Sequence, residues 1–240
     1  MIRQMFQKYP KIRPLLPLEY MKIYSEHYKQ NREGRSFISS LSQKMESWMH
    51  QQVANCANNN IINTLEVGAG TLNQLLYENK DQNYDIVEPF SDLYQESHQL
   101  NKIRNIYTDI SNIPANEKYD RIISIAALEH ICDLPSVIAR SGVLLSPNGI
   151  FQAGVPSEGT WLWDFSWRLI SGFAFRLRYG LSHKILREYE HVNNAKEIEE
   201  VLEYFFNSVS CKVFGISKSI SLYRYYECRN PILERCRNYI

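Results

Sequence analysis

The stretch Asn63 to Leu76 reads NTLEVGAGTLNQLL, and its reading decides the fold. An apolar run carries an acid, Glu66, and Gly68 and Gly70 follow one residue apart, where a strand is about to turn. Glycine costs backbone entropy, so two at such a point serve a bare tight turn, a phosphate cradle or the close approach of a small molecule. A phosphate-binding loop needs G-x-x-x-x-G-K-[ST], and no such string occurs. A dinucleotide site wants a third glycine where this chain has Asn73. The remaining pattern is an acid before the turn and another at the end of the next strand. Glu66 and Glu88 supply that pair.

Outward from this turn the chain alternates. IINTLEV reads as a strand and TLNQLLYEN as a helix; YDIVEP is a strand and SDLYQESHQL a helix; KIRNIYTD and YDRIISIAA are strands. Leu134 to Leu145 reads as a helix and GIFQAGVP as a fifth strand. Strands alternating with helices predict a parallel sheet covered on both faces, with ligands in the crevice at the strands' C-terminal edge. Asn194 to Phe206 reads as an amphipathic helix, and SVSCKVFGI and SISLYRYYEC as two closing strands. Residues 1–60, polar and Tyr-rich, read as a mostly helical cap, with Leu41, Met45, Trp48 and Val53 near helical spacing. Residues 61–240 form the main domain, interrupted at 157–190 by an aromatic-rich helical insertion.

Composition narrows the classes. The 240 residues are 44% hydrophobic and 22% charged, as in a globular protein, and the formal net charge is +1. No global field favours nucleic acid. Five scattered cysteines without a C-x-x-C pair fit reduced thiols better than a disulfide framework or zinc site. The first twenty residues lack an apolar signal core, and no apolar run is long enough to span a bilayer. The expectation is a cytoplasmic protein without stable membrane insertion, peripheral association being left open.

Two carboxylates at neighbouring strand ends suit a ligand with a cationic ammonium and a ribose diol, and would repel a pyrophosphate. Glu88 can accept from both ribose hydroxyls, while Pro89 and Phe90 can pack on a purine. Here the chain resembles the class I S-adenosylmethionine-dependent methyltransferases, motif by motif over about residues 61–156. LEVGAG resembles the glycine-rich first motif and YDIVEP the ribose-binding second. YTDIS resembles the third, in which an acid, here Asp109 beside Ile110, meets the adenine amino group. YDRIISIAALEHICDLPSVI resembles the fourth, with Glu129, His130 and Asp133 in an E-H-x-x-D pattern, and VLLSPNGIFQAGVP the following strand. The resemblance implies a Rossmann-like seven-stranded sheet, mostly parallel, with an antiparallel last strand, and S-adenosylmethionine as cofactor. The implied cofactor contacts are Glu66, Gly68, Ala69, Gly70, Glu88, Pro89, Asp109, Ile110 and Ala126. The third glycine often seen in the first motif is Leu72 here, which makes the turn less permissive. Ala126 stands where some O-methyltransferases hold a metal with an acid, so no metal is expected.

A hydroxyl acceptor needs a base, and the candidates are His130 and His191. Each also has a structural reading, as a satisfied pocket wall. The expected activity is O-methylation of a small molecule or saccharide. The saccharide reading rests on V-P-x-E-G after the fifth strand, on E-H-V-N at 190–193, and on aromatic residues that can stack on sugar faces. In the insertion, Trp163, Trp167, Ile170, Ala174 and Leu177 share a helical stripe. It reads as a packed lid, as a lid stacking Trp161, Trp163 and Trp167 on an acceptor, or less well as an interfacial helix. Two other classes stand beside the enzyme. One is a non-catalytic interaction module, with cofactor binding spoiled at Leu72. The other is a nucleic-acid methyltransferase, disfavoured by the near-neutral charge and by the lack of an N/D-P-P-Y/F motif.

Overall fold

A computed structural model of the chain describes residues 6–21, 23, 40–55, 61–78, 82–167, 175 and 179–240. Five parallel strands form most of a sheet: β1 (Asn63–Val67), β2 (Asn83–Val87), β3 (Ile103–Tyr107), β4 (Tyr119–Ile125) and β5 (Leu145–Pro156). Two longer strands, β6 (Phe206–Ser217) and β7 (Ile220–Pro231), complete the seven-stranded order β3-β2-β1-β4-β5-β7-β6. β7 runs antiparallel between β5 and β6. This is the α/β, mostly parallel sheet with an antiparallel late strand that the sequence implied.

Burial varies across the sheet. β1, β2 and β4 lie inside the sheet and are buried over nearly their whole length, their polar residues Thr64, Glu66, Asp85, Arg121 and Ser124 included. β3, at one edge, alternates between intermediate and exposed residues. On one face, Leu65, Val67, Ile122, Phe151 and Ala153 meet α2 (Leu134–Leu144), α5 (Ala195–Phe205) and α6 (Leu233–Tyr239). α5 starts at Asn194 with a capping box closed by Glu197, and Ile198, Val201, Leu202 and Phe205 form its buried stripe.

The other face departs from expectation. TLNQLLYEN forms only a 3₁₀ turn, Asn73–Leu76, and SDLYQESHQL only the short turns Ser91–Leu93 and Leu100–Lys102. Both segments are short for an independent helix. Leu72 enters the first turn in the left-handed region, at φ 66°, which breaks helical continuity. The space is filled from elsewhere. Helix α1 (Ser40–Asn55), inside the expected N-terminal cap, packs Met49 and Val53 against Leu72, Tyr84, Ile86, Ile123 and Tyr225. Nearer the N-terminus, residues 11–17 are not helical, as Pro14 and Pro17 make reasonable. They form a strap, anchored by the Lys11 amide donating to the Cys132 carbonyl at 2.9 Å.

In the insertion, the described parts are α3 (Trp161–Trp167), Phe175, and residues 179–190 with α4 (His183–Glu190). The predicted stripe continues through Ile170, Ala174 and Leu177, which lie outside the described residues. Among the described residues, no helix is long and apolar enough to cross a membrane.

Candidate active site

The strand order reverses between β1 and β4, and a crevice opens where two such strands diverge. Register brings the chain ends together there. Val67 pairs with Val87 and Val87 with Tyr107, so Gly68, Glu88 and Thr108 leave the sheet side by side. The ladder runs one step further: the Gly68 amide donates to the Val87 carbonyl and the Glu88 amide to the Tyr107 carbonyl, both at 2.8 Å.

Gly68 has two reasons to be glycine. Its φ is +76°, and a Cβ there would sit 2.4 Å from the Ala127 Cβ. Gly70, at φ 52°, donates its amide to Glu88 Oε2 at 2.9 Å, while Glu88 Oε1 accepts from the Phe90 amide at 3.1 Å. The second acid thus grips the turn that follows the first. Leu72 is fully buried and takes the left-handed conformation itself, so the turn forms without the third glycine.

The cleft has two halves that share Gly68, Ala126 and His130. The outer half, about 560 Å³, is lined by Val87, Glu88, Pro89, Phe90, Asp109 and Ile110, among others. Asp109 is exposed and caps the next turn, its Oδ1 accepting from the Ser111 amide at 2.8 Å. The inner half, about 390 Å³, is lined by Glu66, Ala69 and Gly70 together with Glu46, His50 and Tyr223. Every residue read from the sequence as a cofactor contact therefore lies on one half or the other. Ala126 touches both, and adopts φ 49° at the end of β4.

Glu66 is a buried carboxyl of the site. Burial pushes its carboxyl up to about 8, against a hydrogen bond from Tyr84 Oη at 2.8 Å and the nearby His50. His50 comes from α1. Burial opposes its charging, but Glu46 and Gln74 outweigh that and hold its pKa above the ordinary value.

His130 stands where the halves meet, on a short turn, Leu128–His130, clamped from three directions. The Val192 and Asn193 amides donate to the Glu129 carbonyl at 2.8 and 3.0 Å. Asn193 Nδ2 donates to the Leu128 and Ile131 carbonyls. Arg13, from the strap, donates to the carbonyls of His130, Tyr189 and Glu190, and itself lines the outer half. The E-H-V-N segment is thus the scaffold of the His130 turn. His130 Nδ1 lies 3.0 Å from the Glu190 carbonyl, and Nε2 lies 3.9 Å from Glu129 Oε1. A carbonyl only accepts, so in the neutral ring Nδ1 carries the proton and Nε2 is the basic nitrogen.

His191 lines neither half. It packs edge-on against His130, with ring centres 4.8 Å apart, and its Nδ1 bonds Glu158 Oε2 at 2.6 Å. Burial lowers its basicity, but Glu158 more than compensates, so its pKa is raised. Glu158 also meets Arg187, which pairs with Asp164 of α3. The acid of V-P-x-E-G therefore ties the insertion together. Of the tryptophans read as acceptor-stacking, Trp161 and Trp163 line neither half, and the Trp167 side chain lies outside the described residues. Trp161 is 70% exposed and stacks on Phe165, while Trp163 packs edge-on behind Tyr223, with 5.4 Å between ring centres.

Arg13, Glu46, His50 and Tyr223 were not legible as site residues. They come from the strap, the N-terminal helix and the antiparallel strand, far in sequence from the glycine turn. The one available signal was that His50 lies between Trp48 and Val53, two of the positions read as helically spaced.

No protein-family model matches the sequence, and no curated protein matches it. Solved structures do match in fold. The plantazolicin methyltransferase BpumL, in complex with a monoazolic desmethylPZN analog and SAH, superposes with a TM-score of 0.58 at 14% identity, over 88% of this chain and 92% of that one. A SAM-dependent methyltransferase from Thermotoga maritima, described as a possible histamine N-methyltransferase, gives 0.58 at 11% identity, over 88% and 98%. The N-methyltransferase NodS from Bradyrhizobium japonicum, in complex with S-adenosyl-L-homocysteine, gives 0.54 at 15% identity, over 82% and 91%. The chain has the fold of the S-adenosylmethionine-dependent methyltransferases.

Proposed function

We infer that the protein is an S-adenosylmethionine-dependent methyltransferase acting on an oxygen of a small hydroxylated molecule, saccharides included. One observation carries this reading. The cleft is bipartite about Gly68, with Glu88 and Asp109 in one half and the buried Glu66 in the other. Such a site suits a ligand with a nucleoside at one end and an amino acid at the other. Glu88 would hold the ribose diol, Asp109 and Ile110 the adenine edge, and Glu66 the ammonium. Gly68 lines both halves and brings bare backbone to their junction. Fold neighbours complexed with SAH support the same ligand class.

When bound, S-adenosylmethionine supplies an electrophilic methyl on a sulfonium. What remains for the protein is alignment and proton removal. His130 is placed to do the second. Its turn is clamped by Arg13 and Asn193, its Nδ1 proton is committed to the Glu190 carbonyl, and its Nε2 is the nitrogen left basic. His191, ion-paired to Glu158 behind it, packs edge-on against that ring and positions it. Tyr223 and the outer-half rim would bound the acceptor.

The test has two stages. Calorimetric titration with S-adenosylmethionine and S-adenosylhomocysteine should give micromolar binding. Methyl-labelled cofactor, presented with a panel of phenols, glycosides and amines, should then label hydroxylated acceptors. His130→Gln should lower that rate by about 10²–10⁴-fold while leaving cofactor affinity intact. No cofactor binding by folded protein refutes the enzyme reading and favours an interaction module. Labelling of amines alone, unaffected by His130→Gln, refutes the oxygen acceptor.

A further inference from the structure

An α-amino acid group is a zwitterion, and a site that holds it needs an anion and a cation or strong donor side by side. Glu66 gives the anion once an ammonium faces it, since an opposite charge favours the ionised carboxyl. No described residue lining the inner half is Lys or Arg, and the basic side chains there are His50 and His130. His130 is committed to the junction of the halves, which leaves His50.

The orientation of His50 is dictated from the core outward. Arg121 is fully buried and ion-pairs with Glu78, which also accepts from the Gln74 amide nitrogen. With its amide nitrogen directed at a carboxylate, Gln74 must turn its carbonyl the other way. That oxygen lies 2.7 Å from His50 Nδ1. A carbonyl accepts only, so Nδ1 carries a proton, and Nε2 is the nitrogen available to a further partner. The ring is fixed a second time by stacking on Tyr77, at 5.1 Å and 7°. Glu46 Oε1 stands 3.9 Å from Nε2, beyond hydrogen-bond reach, and its side chain is 46% exposed at the rim. A ligand carboxylate arriving at Nε2 would displace a loose contact.

Resting on the cofactor reading above, we propose that His50 binds the carboxylate of the cofactor's amino-acid end while Glu66 binds its ammonium. Helix α1 thereby supplies half of the zwitterion site. The groups facing the pair are Glu46 on α1, Gln74 and Tyr77 on the first turn, and Tyr84 on β2, with Glu78 and Arg121 behind. Protonated His50 donates from both nitrogens, the inner proton going to Gln74 and the outer one to the carboxylate.

Two probes separate this role from structural support. S-adenosylhomocysteine carries the amino-acid end; 5′-methylthioadenosine keeps the nucleoside and thioether but lacks it. Both are titrated calorimetrically into the wild type, His50→Gln and His50→Ala. The expected result is that both substitutions weaken S-adenosylhomocysteine by about tenfold or more, the size of a charge-assisted hydrogen bond, and leave 5′-methylthioadenosine unchanged. Unchanged binding of 5′-methylthioadenosine also certifies that the variants are folded. An equal loss of both probes overturns the proposal, because His50 would then be only a prop for the turn. No loss of either overturns it as well. If the wild type binds neither probe, the cofactor reading fails first and this inference falls with it.

Discussion

Glu66→Gln is the most informative single substitution, because it separates what the buried acid costs from what it does. In the folded protein burial pushes the carboxyl to about 8, against an ordinary value of 4.5. The sign follows directly. The folded state holds this proton more tightly than the unfolded chain. The contribution to stability is therefore full below about pH 4.5, declines as pH rises, and is lost above about pH 8. Each factor of ten in proton affinity is worth about 1.4 kcal/mol. Ionised Glu66 thus costs the folded protein up to about 5 kcal/mol, and about 2 kcal/mol or more after local relaxation. Gln is nearly isosteric, does not titrate, and can still accept from Tyr84. It adds amide hydrogens that the wild-type site does not satisfy, a constant cost of about 1–2 kcal/mol. Urea unfolding at pH 5, 7 and 9 should therefore show a crossover, with Glu66→Gln less stable than wild type at pH 5 and more stable at pH 9. The same variant should bind S-adenosylhomocysteine more weakly at every pH, having lost the partner of the ammonium. A stability difference that does not change between pH 5 and pH 9 would refute the reasoning.

Two further predictions concern the turn. Gly68→Ala places a Cβ 2.4 Å from the Ala127 Cβ in a left-handed backbone. It should lose about 2–4 kcal/mol in urea unfolding and weaken S-adenosylhomocysteine binding, while a wild-type melting curve would mean that the loop yields at no cost. Glu88→Ala removes the acceptor of the Gly70 and Phe90 amides. It should weaken S-adenosylhomocysteine and 5′-methylthioadenosine alike by about 10–100-fold, since both carry the ribose; unchanged affinity would remove Glu88 from the ribose role.

Much of the scaffold was legible because its signals are local. The strand NTLEV, the glycines after it and the acid closing YDIVEP lie within one βαβ-sized stretch, and each states its own backbone requirement. Strand C-termini of a parallel sheet share an edge by topology, so Glu66, Glu88 and Asp109 were bound to converge on one crevice once the strands were recognised. The amphipathic pattern of Asn194 to Phe206 likewise announced its helix. The two short crossover segments misled because apolar residues at helical spacing do not reveal whether the space is already taken. Here it is taken by α1, and Leu72 turns the chain away.

The sequence by itself determined the sheet, the glycine turn and the acids along the strand edge, since period, glycine content and strand ends follow from residues a few positions apart. Only the tertiary structure decided which distant segments close the cleft. Arg13 and His50 arrive from the N-terminal side, Tyr223 from the antiparallel strand, and His191 turns out to stand behind His130 rather than in the cleft. The physical reason is that these placements depend on packing between segments separated by tens to hundreds of residues. The hydrogen bonds that aim each ring, from Glu190 to His130 and from Gln74 to His50, exist only once those segments are packed.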